Sequence, residues 1–495
     1  MKALAEEAVA QGGVVMAVSL DIANAFNTLP WSCVKEALKY HRVPQYLQRL
    51  VDAYLSGRSV EYPGREGWES RDMSCGVPQG SVLGPLLWNI GYDWVLRGTN
   101  PRGVSVVCYA DDTLVLAKGE NYREAALHAT AGVANVVGRI RCLGLEVALS
   151  KSEALCFHGP RKGPPRGAHL IVGGVRIGVE GTMKYLGLVL DSRWDFGEHI
   201  RRLAPRLMAA ASALGGLLPN LGDPDVSCRR LYAGVVRSMA LYGFPVWTEE
   251  LRSQSVALLR KPQRAMAIRV VRGYRTISNE AACVLAGSLP WDLDAGVLAS
   301  LFHWREEARG EGMDPAPQEV QTCREDLHRQ AVDLWAARLE RPTAGRRTVE
   351  AIRPVLRQWL DRPHGVLTFR VTQILSGHGC FGGYLCNIAG REPSEVCHHC
   401  DVPSDDAQHT LESCSAWAEE RRALSAVIGD DLSLPAVARA IVGSDRAWVA
   451  LQTFCEDVML QKEAAERIRE ETSTLAIRRL GGGGGGCSPA SNRLK

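Results

Sequence analysis

No stretch of this chain approaches the ~18 consecutive apolar residues of a membrane-crossing helix, so no transmembrane segment is expected. The first residues, MKALAEEAVAQGG, carry Glu6 and Glu7 and lack an apolar run, which excludes a secretory signal peptide there. Fifteen cysteines spread over 495 residues are too sparse for a disulfide scaffold. Their number is odd and most stand alone, as Cys33, Cys108, Cys228 and Cys283 do; isolated cysteines are usually small buried hydrophobes. Only Cys397 and Cys400 form a CxxC, a pattern that fits a reducing compartment and one metal site. No repeat at solenoid spacing is present. The formal net charge of +3 excludes nothing by itself. What the chain does have is 46% hydrophobic and 23% charged residues, which is ordinary globular chemistry; at ~150 residues per domain, about three domains are expected.

Apolar patterning divides the chain into three regions. Up to about Asp191 strands and helices mix. Val14–Leu20 reads as a buried strand, and Pro30–Tyr40 and Pro44–Leu55 read as helices, the second stopped by Gly57. Val104–Tyr109 and Thr113–Ala117 read as a hairpin split by Asp111-Asp112, and Tyr122–Leu143 as a helix ended by Gly144. From about Phe196 to Arg275 the pattern is helical. Gly197–Arg275 holds thirteen Lys/Arg against five Asp/Glu, a stripe that suits either a polyanion or a solvated helix face. The remainder is helical around a Gly/His/Cys-rich segment, Gly377–Cys414, and closes on a glycine run, Gly481–Gly486, whose composition predicts disorder.

The sharpest local signal is Tyr109-Ala110-Asp111-Asp112. Neighbouring side chains on a strand point to opposite faces, so only a turn lets adjacent aspartates approach one ion. Asp21, at the end of the Val14–Leu20 strand, supplies a third carboxylate if the strands are neighbours. Oxygen-only donors select a hard cation such as Mg²⁺. Taken alone, an Asp-Asp pair is more often just a polar hairpin turn.

Three segments in order change that balance: Ser19–Phe26 (SLDIANAF), Gly76–Pro85 (GVPQGSVLGP) and the YADD at 109–112. Together they resemble motifs A, B and C of reverse transcriptases. Ala25-Phe26-Asn27-Thr28, Tyr185-Leu186-Gly187 and Leu241–Trp247 narrow the resemblance to non-LTR retrotransposons, nearest the type-1 elements that insert into arthropod ribosomal RNA genes. The resemblance implies that Asp21, Asp111 and Asp112 hold two Mg²⁺ ions for nucleotidyl transfer. It implies that Phe26 closes against the sugar and excludes a 2′-hydroxyl, and that Gln79, Gly80 and Tyr109 line the incoming nucleotide. Lys151, in a segment resembling motif D, is implied as general acid or phosphate partner, with an exposed turn lysine as the equal alternative. Lys184–Gly187 resembles the hairpin that grips the primer.

Cys397-x2-Cys400-x8-His409-x4-Cys414 has the spacing of a tetrahedral Zn²⁺ knuckle. Cys380 and Cys386 could form a rival set with Cys397 and Cys400. His378, between two glycines, reads as structural. In the resembling family the knuckle binds nucleic acid, and here Arg201, Arg202, Arg206, Arg229, Arg230 and Arg264 of the basic stripe would meet its backbone.

The fold class expected is α+β: a polymerase palm with a small antiparallel sheet over 1–191, a helical basic thumb over 192–275 and a helical connector over 276–376. A zinc-knuckle segment follows over 377–420, then helices over 421–480 and a glycine-rich tail over 481–495. The function implied is RNA-directed DNA polymerase in target-primed reverse transcription, with an RNA template, a DNA target and primer and deoxynucleoside triphosphates as partners. No membrane is expected, the oligomeric state is not legible, and the nucleus is the expected site of action. An RNA-directed RNA polymerase is a rival against which Phe26 argues. Motif A begins about twenty residues from Met1, whereas the family carries a fingers region and an endonuclease ahead of it, so an N-terminally truncated fragment is expected. The alternative function is a catalytically impaired remnant that binds nucleic acid through zinc.

Overall fold

A computed structural model describes residues 1–472 except 65, 66, 161 and 162; the glycine-rich tail at 481–495 lies outside the described residues. The chain forms two compact units, Met1–His199 and the part from Ile200 onward, where length alone predicts about three. The reason lies in the second unit, where one continuous apolar cluster runs from Ala267 to Met459 and leaves no seam for a further boundary. No single described helix is long and apolar enough to cross a membrane.

The strands of the first unit are β1 (Val14–Leu20), β2 (Ser59–Pro63), β3 (Trp68–Asp72), β4 (Val104–Tyr109), β5 (Asp112–Gly119), β6 (Glu153–His158), β7 (His169–Val172), β8 (Val175–Glu180), β9 (Thr182–Tyr185) and β10 (Leu188–Asp191). Six of them make one sheet in the order β4-β5-β1-β6-β8-β7; β2–β3 and β9–β10 are separate hairpins. The sheet is not purely antiparallel as expected, because β6 pairs parallel with β8 at Ala154–Val179 and Leu155–Glu180. β1 lies between β5 and β6 and is buried along nearly its whole length, which explains its unbroken apolar run.

The helix Tyr122–Cys142 belongs to the same core as this sheet. Its buried residues Ala125, Ala129, Val133, Val136, Val137 and Ile140 recur at three- and four-residue spacing and so form one face. Asn121 starts it by accepting from the Glu124 amide at 3.1 Å, and the Glu124 carboxylate accepts from the Glu120 amide at 2.8 Å. Gly132 is required where this helix meets the sheet: a Cβ there would stand 2.8 Å from a Val104 methyl. Arg139 ties the helix to the end of the helix Gly84–Arg97 by donating to the carbonyls of Val95 (2.6 Å) and Gly98 (2.9 Å).

The second unit is built of helices, closing with Asp445–Thr472. Several of its buried charged groups are paired. Lys462 and Asp405, with side chains 1% and 3% exposed, form an ion pair in which Nζ donates to both carboxylate oxygens at 3.0 and 2.9 Å and to Thr410 Oγ1 at 3.2 Å. Asp405 also accepts from the Gly382 amide at 2.9 Å. Arg370 bonds Glu456 and Glu463 at 2.7 and 2.8 Å, linking the helix Phe369–Ser376 to the last helix. Removing one partner of such a pair leaves a buried charge alone. Lys462→Met is therefore expected to destabilise the second unit by about 3–5 kcal/mol in urea unfolding. A loss under about 1 kcal/mol would mean that the pair is worth no more than a surface one.

Candidate active site and metal centre

The antiparallel register decides which carboxylates meet. Leu20 pairs with Thr113, so the chain leaves β1 at Asp21 alongside the start of β5. On the other side Tyr109 pairs with Asp112, closing β4 and β5 through a two-residue turn, Ala110-Asp111. Asp112 thus opens the strand instead of lying in the turn, a correction to the expectation that both aspartates sit there. Ala110 holds φ +53°, a conformation that suits glycine better and costs on the order of 1–3 kcal/mol in other residues.

Burial raises the Asp112 carboxyl above the ordinary range, and the charges of Asp111 and Asp21 raise it further. The three carboxyls therefore act on one another at one sheet end. Lys151 Nζ lies 3.7 Å from Asp21 Oδ2, both side chains being substantially exposed. Its segment runs back along the residues after β1: the Ala23 amide donates to Glu146 O at 2.9 Å and the Ala148 amide to Asp21 O at 2.8 Å. Lys151 is thereby joined to Asp21.

Phe26 is half-buried against Trp88, with ring centroids 4.9 Å apart, and Trp88 stacks on Tyr92 at 5.1 Å. The Val77 amide donates to Phe26 O and the Gly76 amide to Leu29 O, each at 2.7 Å, which brings the start of the glycine-rich segment onto the Phe26 turn. Gly76 adopts φ +89° and a Cβ there would lie 2.8 Å from Asn27 O, so the close approach demands glycine. Gln79 and Gly80 are exposed beyond it. Tyr109 is 67% exposed, next to the turn.

Two tyrosines were not legible as site residues. Tyr92 shares a 2.7 Å hydrogen bond with the Thr113 hydroxyl, which in turn donates to Asp111 O at 3.4 Å, so the turn is braced from beneath. Tyr185 belongs to the segment resembling the primer-gripping hairpin, but its buried phenol carries no sequence signal. Burial and then the Asp112 charge push it up to about 12.

In the second unit Cys397, Cys400, His409 and Cys414 bring one ligand atom each within 4.8 Å of one another. Cys397 Sγ and Cys414 Sγ are 3.9 Å apart, and Cys400 Sγ and His409 Nε2 are 3.2 Å apart. Sulfurs at ~2.3 Å from a tetrahedral Zn²⁺ stand about 3.8 Å apart, so the donor set fits that ion. The CxxC is folded by the Asp401 amide donating to Cys397 O at 2.9 Å and the Cys397 amide to Val402 O at 2.9 Å. Asp406 accepts from the His409 amide at 2.6 Å, and Ser413 Oγ lies 3.1 Å from His409 Nδ1, which leaves Nε2 for the cluster. The rival set fails because the buried Cys380 thiol instead donates to Glu466 at 2.7 Å. His378 Nδ1 is 2.8 Å from Thr276 Oγ1, and burial lowers its pKa to about 4, so it is a neutral packed imidazole.

The basic residues separate. Arg201, Arg202, Arg206 and Arg230 are exposed. Arg229 is corrected: it is fully buried and donates to the carbonyls of Pro224 (2.9 Å), Arg269 (2.8 Å) and Pro219, so it braces the unit from inside and meets no polyanion. Arg264 is half-buried and donates to the carbonyls of Ile277 (2.8 Å) and Arg275.

Residues 2–190 match the family model for reverse transcriptase (RNA-dependent DNA polymerase). They are a reverse transcriptase domain, and most of the chain is similar to the Pol polyproteins of type-1 retrotransposable elements. The retrovirus-related Pol polyprotein from type-1 retrotransposable element R1 of Bradysia coprophila is 27% identical over 418 residues, covering 82% of this chain and 41% of that protein. The R1 4 polyprotein of Nasonia vitripennis is 27% identical over 371 residues, covering 70% of this chain and 93% of that protein. The probable RNA-directed DNA polymerase from transposon BS of Drosophila melanogaster is 27% identical and covers half of this chain. This chain thus spans about two fifths of the Bradysia relative. Among solved structures, a Candida tropicalis telomerase in complex with a telomeric RNA fragment aligns at TM-score 0.30 and 11% identity, covering 66% of this chain and 51% of its own, too distant to fix any detail.

Zinc content measured by plasma mass spectrometry is expected to approach one ion per chain and to fall severalfold in Cys400→Ser. Zinc unchanged in that variant would refute the Cys397–Cys414 set.

Proposed function

We propose that this chain performs RNA-directed DNA synthesis for a non-LTR retrotransposon, with Asp21, Asp111 and Asp112 holding two Mg²⁺ ions. The observation that carries the reading is the β1–β5 register, which sets Asp21 beside the β4–β5 turn in a reverse transcriptase domain. Carboxylate oxygens suit hard cations, and when bound such ions would activate the primer 3′-hydroxyl and offset charge on the leaving pyrophosphate. The side chains do the rest. Lys151, beside Asp21, offers an exposed ammonium to the leaving phosphates. Phe26, backed by Trp88, walls the site at the sugar and disfavours a 2′-hydroxyl, so deoxynucleotides are the substrate. Gln79, Gly80 and Tyr109 face the incoming nucleotide and template. In this reading the first unit is the palm, the basic helices after Ile200 act as thumb, and the Cys/His cluster holds Zn²⁺ in a knuckle that grips RNA. A nicked DNA end supplies the primer.

Primer extension on an RNA template tests the reading. Asp111→Ala is expected to abolish extension while leaving the thermal midpoint within a few degrees of wild type. Extension that survives in Asp111→Ala would refute the carboxylate assignment. A wild-type chain that binds RNA yet extends nothing would favour the alternative, a zinc-dependent nucleic-acid-binding remnant.

Phe26→Ala is expected to raise ribonucleotide use relative to deoxynucleotide use by about tenfold or more, on the scale of a small steric change in a binding pocket. An unchanged ratio would remove Phe26 from the sugar.

A further inference from the structure

Within the second unit, a cavity of about 650 Å³ opens between the helices Val226–Ala240, Ser253–Val270 and Trp291–Gly310 and the segment from Trp359 to Val366. Arg230, Arg237, Arg362, His328 and His364 line it, and Asp294 is the one carboxylate among the described residues that does so. Asp294 is already taken by Arg237, whose Nη2 donates to Oδ1 at 2.7 Å and whose Nε donates to Oδ2. Arg230 and Arg362 are left facing the same space. The Arg362 guanidinium carbon lies over Trp359, 3.8 Å from the ring centroid, and 5.0 Å from that of Trp448. Its Nη1 donates to Trp359 O, while its Nε is buried without a partner. Burial, and then the Arg230 charge, lower Arg362 to about 10, so the two cations feel one another. Like charges held together in a cavity are what an anion would relieve.

We propose that this cavity binds a phosphodiester of a nucleic-acid strand, with Arg230 and Arg362 neutralising it and the tryptophan floor fixing the Arg362 plane. A strand, and not a lone phosphate, is favoured by continuity. A second cavity of about 760 Å³ shares Arg237, Asp294, His328 and Leu360 with the first and adds Arg324, Arg329 and Arg357 against Glu325 and Asp361, so cationic groups in excess of acidic ones continue past one phosphate. The site stands whether or not residues 2–190 polymerise, because it lies in the other unit and is read by binding alone.

The test uses the full chain and a fluorescein-labelled 20-nucleotide RNA, with anisotropy followed between 50 and 200 mM salt. Arg230→Gln, an exposed change, is expected to weaken binding about five- to tenfold. It should also reduce the slope of log K against log salt by about 0.7, the value for one phosphate contact on a single strand. Arg230→Lys keeps the charge and should retain most of the affinity. Arg362→Lys keeps a charge but loses the planar fork, and should weaken binding with its thermal midpoint checked in parallel. The assay holds no primer and no deoxynucleotide, so its outcome is separate from that of the polymerase reading. Affinity and slope unchanged in Arg230→Gln would overturn the proposal. So would inorganic phosphate alone raising the thermal midpoint of wild type but not of Arg230→Gln while RNA affinity stays the same, since that outcome marks a small-anion site.

Discussion

Three carboxylates that repel one another are gathered at one end of a sheet whose central strand is almost wholly buried, and the rest of the first unit serves to hold them there. β1 is apolar from Val14 to Val18 because it has a hydrogen-bonded neighbour on each side. A charge can appear only where the strand leaves the sheet, and Asp21 takes that place. Register then does the remaining work: with Leu20 opposite Thr113 and Tyr109 opposite Asp112, Asp21 and the Asp111-Asp112 pair emerge on one edge. A slip of one residue would turn every β1 side chain to the other face and carry Asp21 out of step with its partners. The left-handed Ala110 and the Tyr92–Thr113–Asp111 chain are the local means of keeping the turn in place.

The second unit obeys the same economy of buried polarity in a helical setting. Lys462 is matched to Asp405, Arg370 to Glu456 and Glu463, His378 to Thr276, and Arg229 to three backbone carbonyls. Arg230 and Arg362 share one cavity whose single carboxylate among the described residues, Asp294, is held by Arg237. The Cys/His cluster lies beside the Lys462–Asp405 pair, since Thr410 and His409 share one short helix, so the cluster is fixed to the core of its unit by a buried charge.

Much of this was legible in the residues. The strands at Val14–Leu20 and Val104–Tyr109 and the helices after Pro30, Pro44 and Asn121 follow from apolar runs and periodicity, which are local properties. The glycines of the 76–85 segment suit a backbone that approaches a ligand, whereas at Gly76 the close neighbour is Asn27 O of the chain itself. What escaped was set by tertiary pairing. The turn falls on Ala110-Asp111, because nothing in YADD offers the glycine that would mark a tight hairpin. The parallel β6–β8 pairing depends on which edge the β7–β8 hairpin finds. Arg229 and Arg230 are adjacent, and charge alone cannot say that one is buried and the other exposed. Tyr92 carries no sequence signal and Tyr185 only that of its hairpin; their place near the carboxylates comes from tertiary packing.

The central claim is that Asp21, Asp111 and Asp112 together hold divalent ions. Crystals of the full chain soaked in Mn²⁺ with a non-hydrolysable deoxynucleotide, measured at the manganese absorption edge, test it directly. The account predicts anomalous peaks bridged by the Asp21 carboxylate and the β4–β5 turn, lost in Asp21→Asn. Manganese bound elsewhere, or at that edge without Asp21, would contradict it.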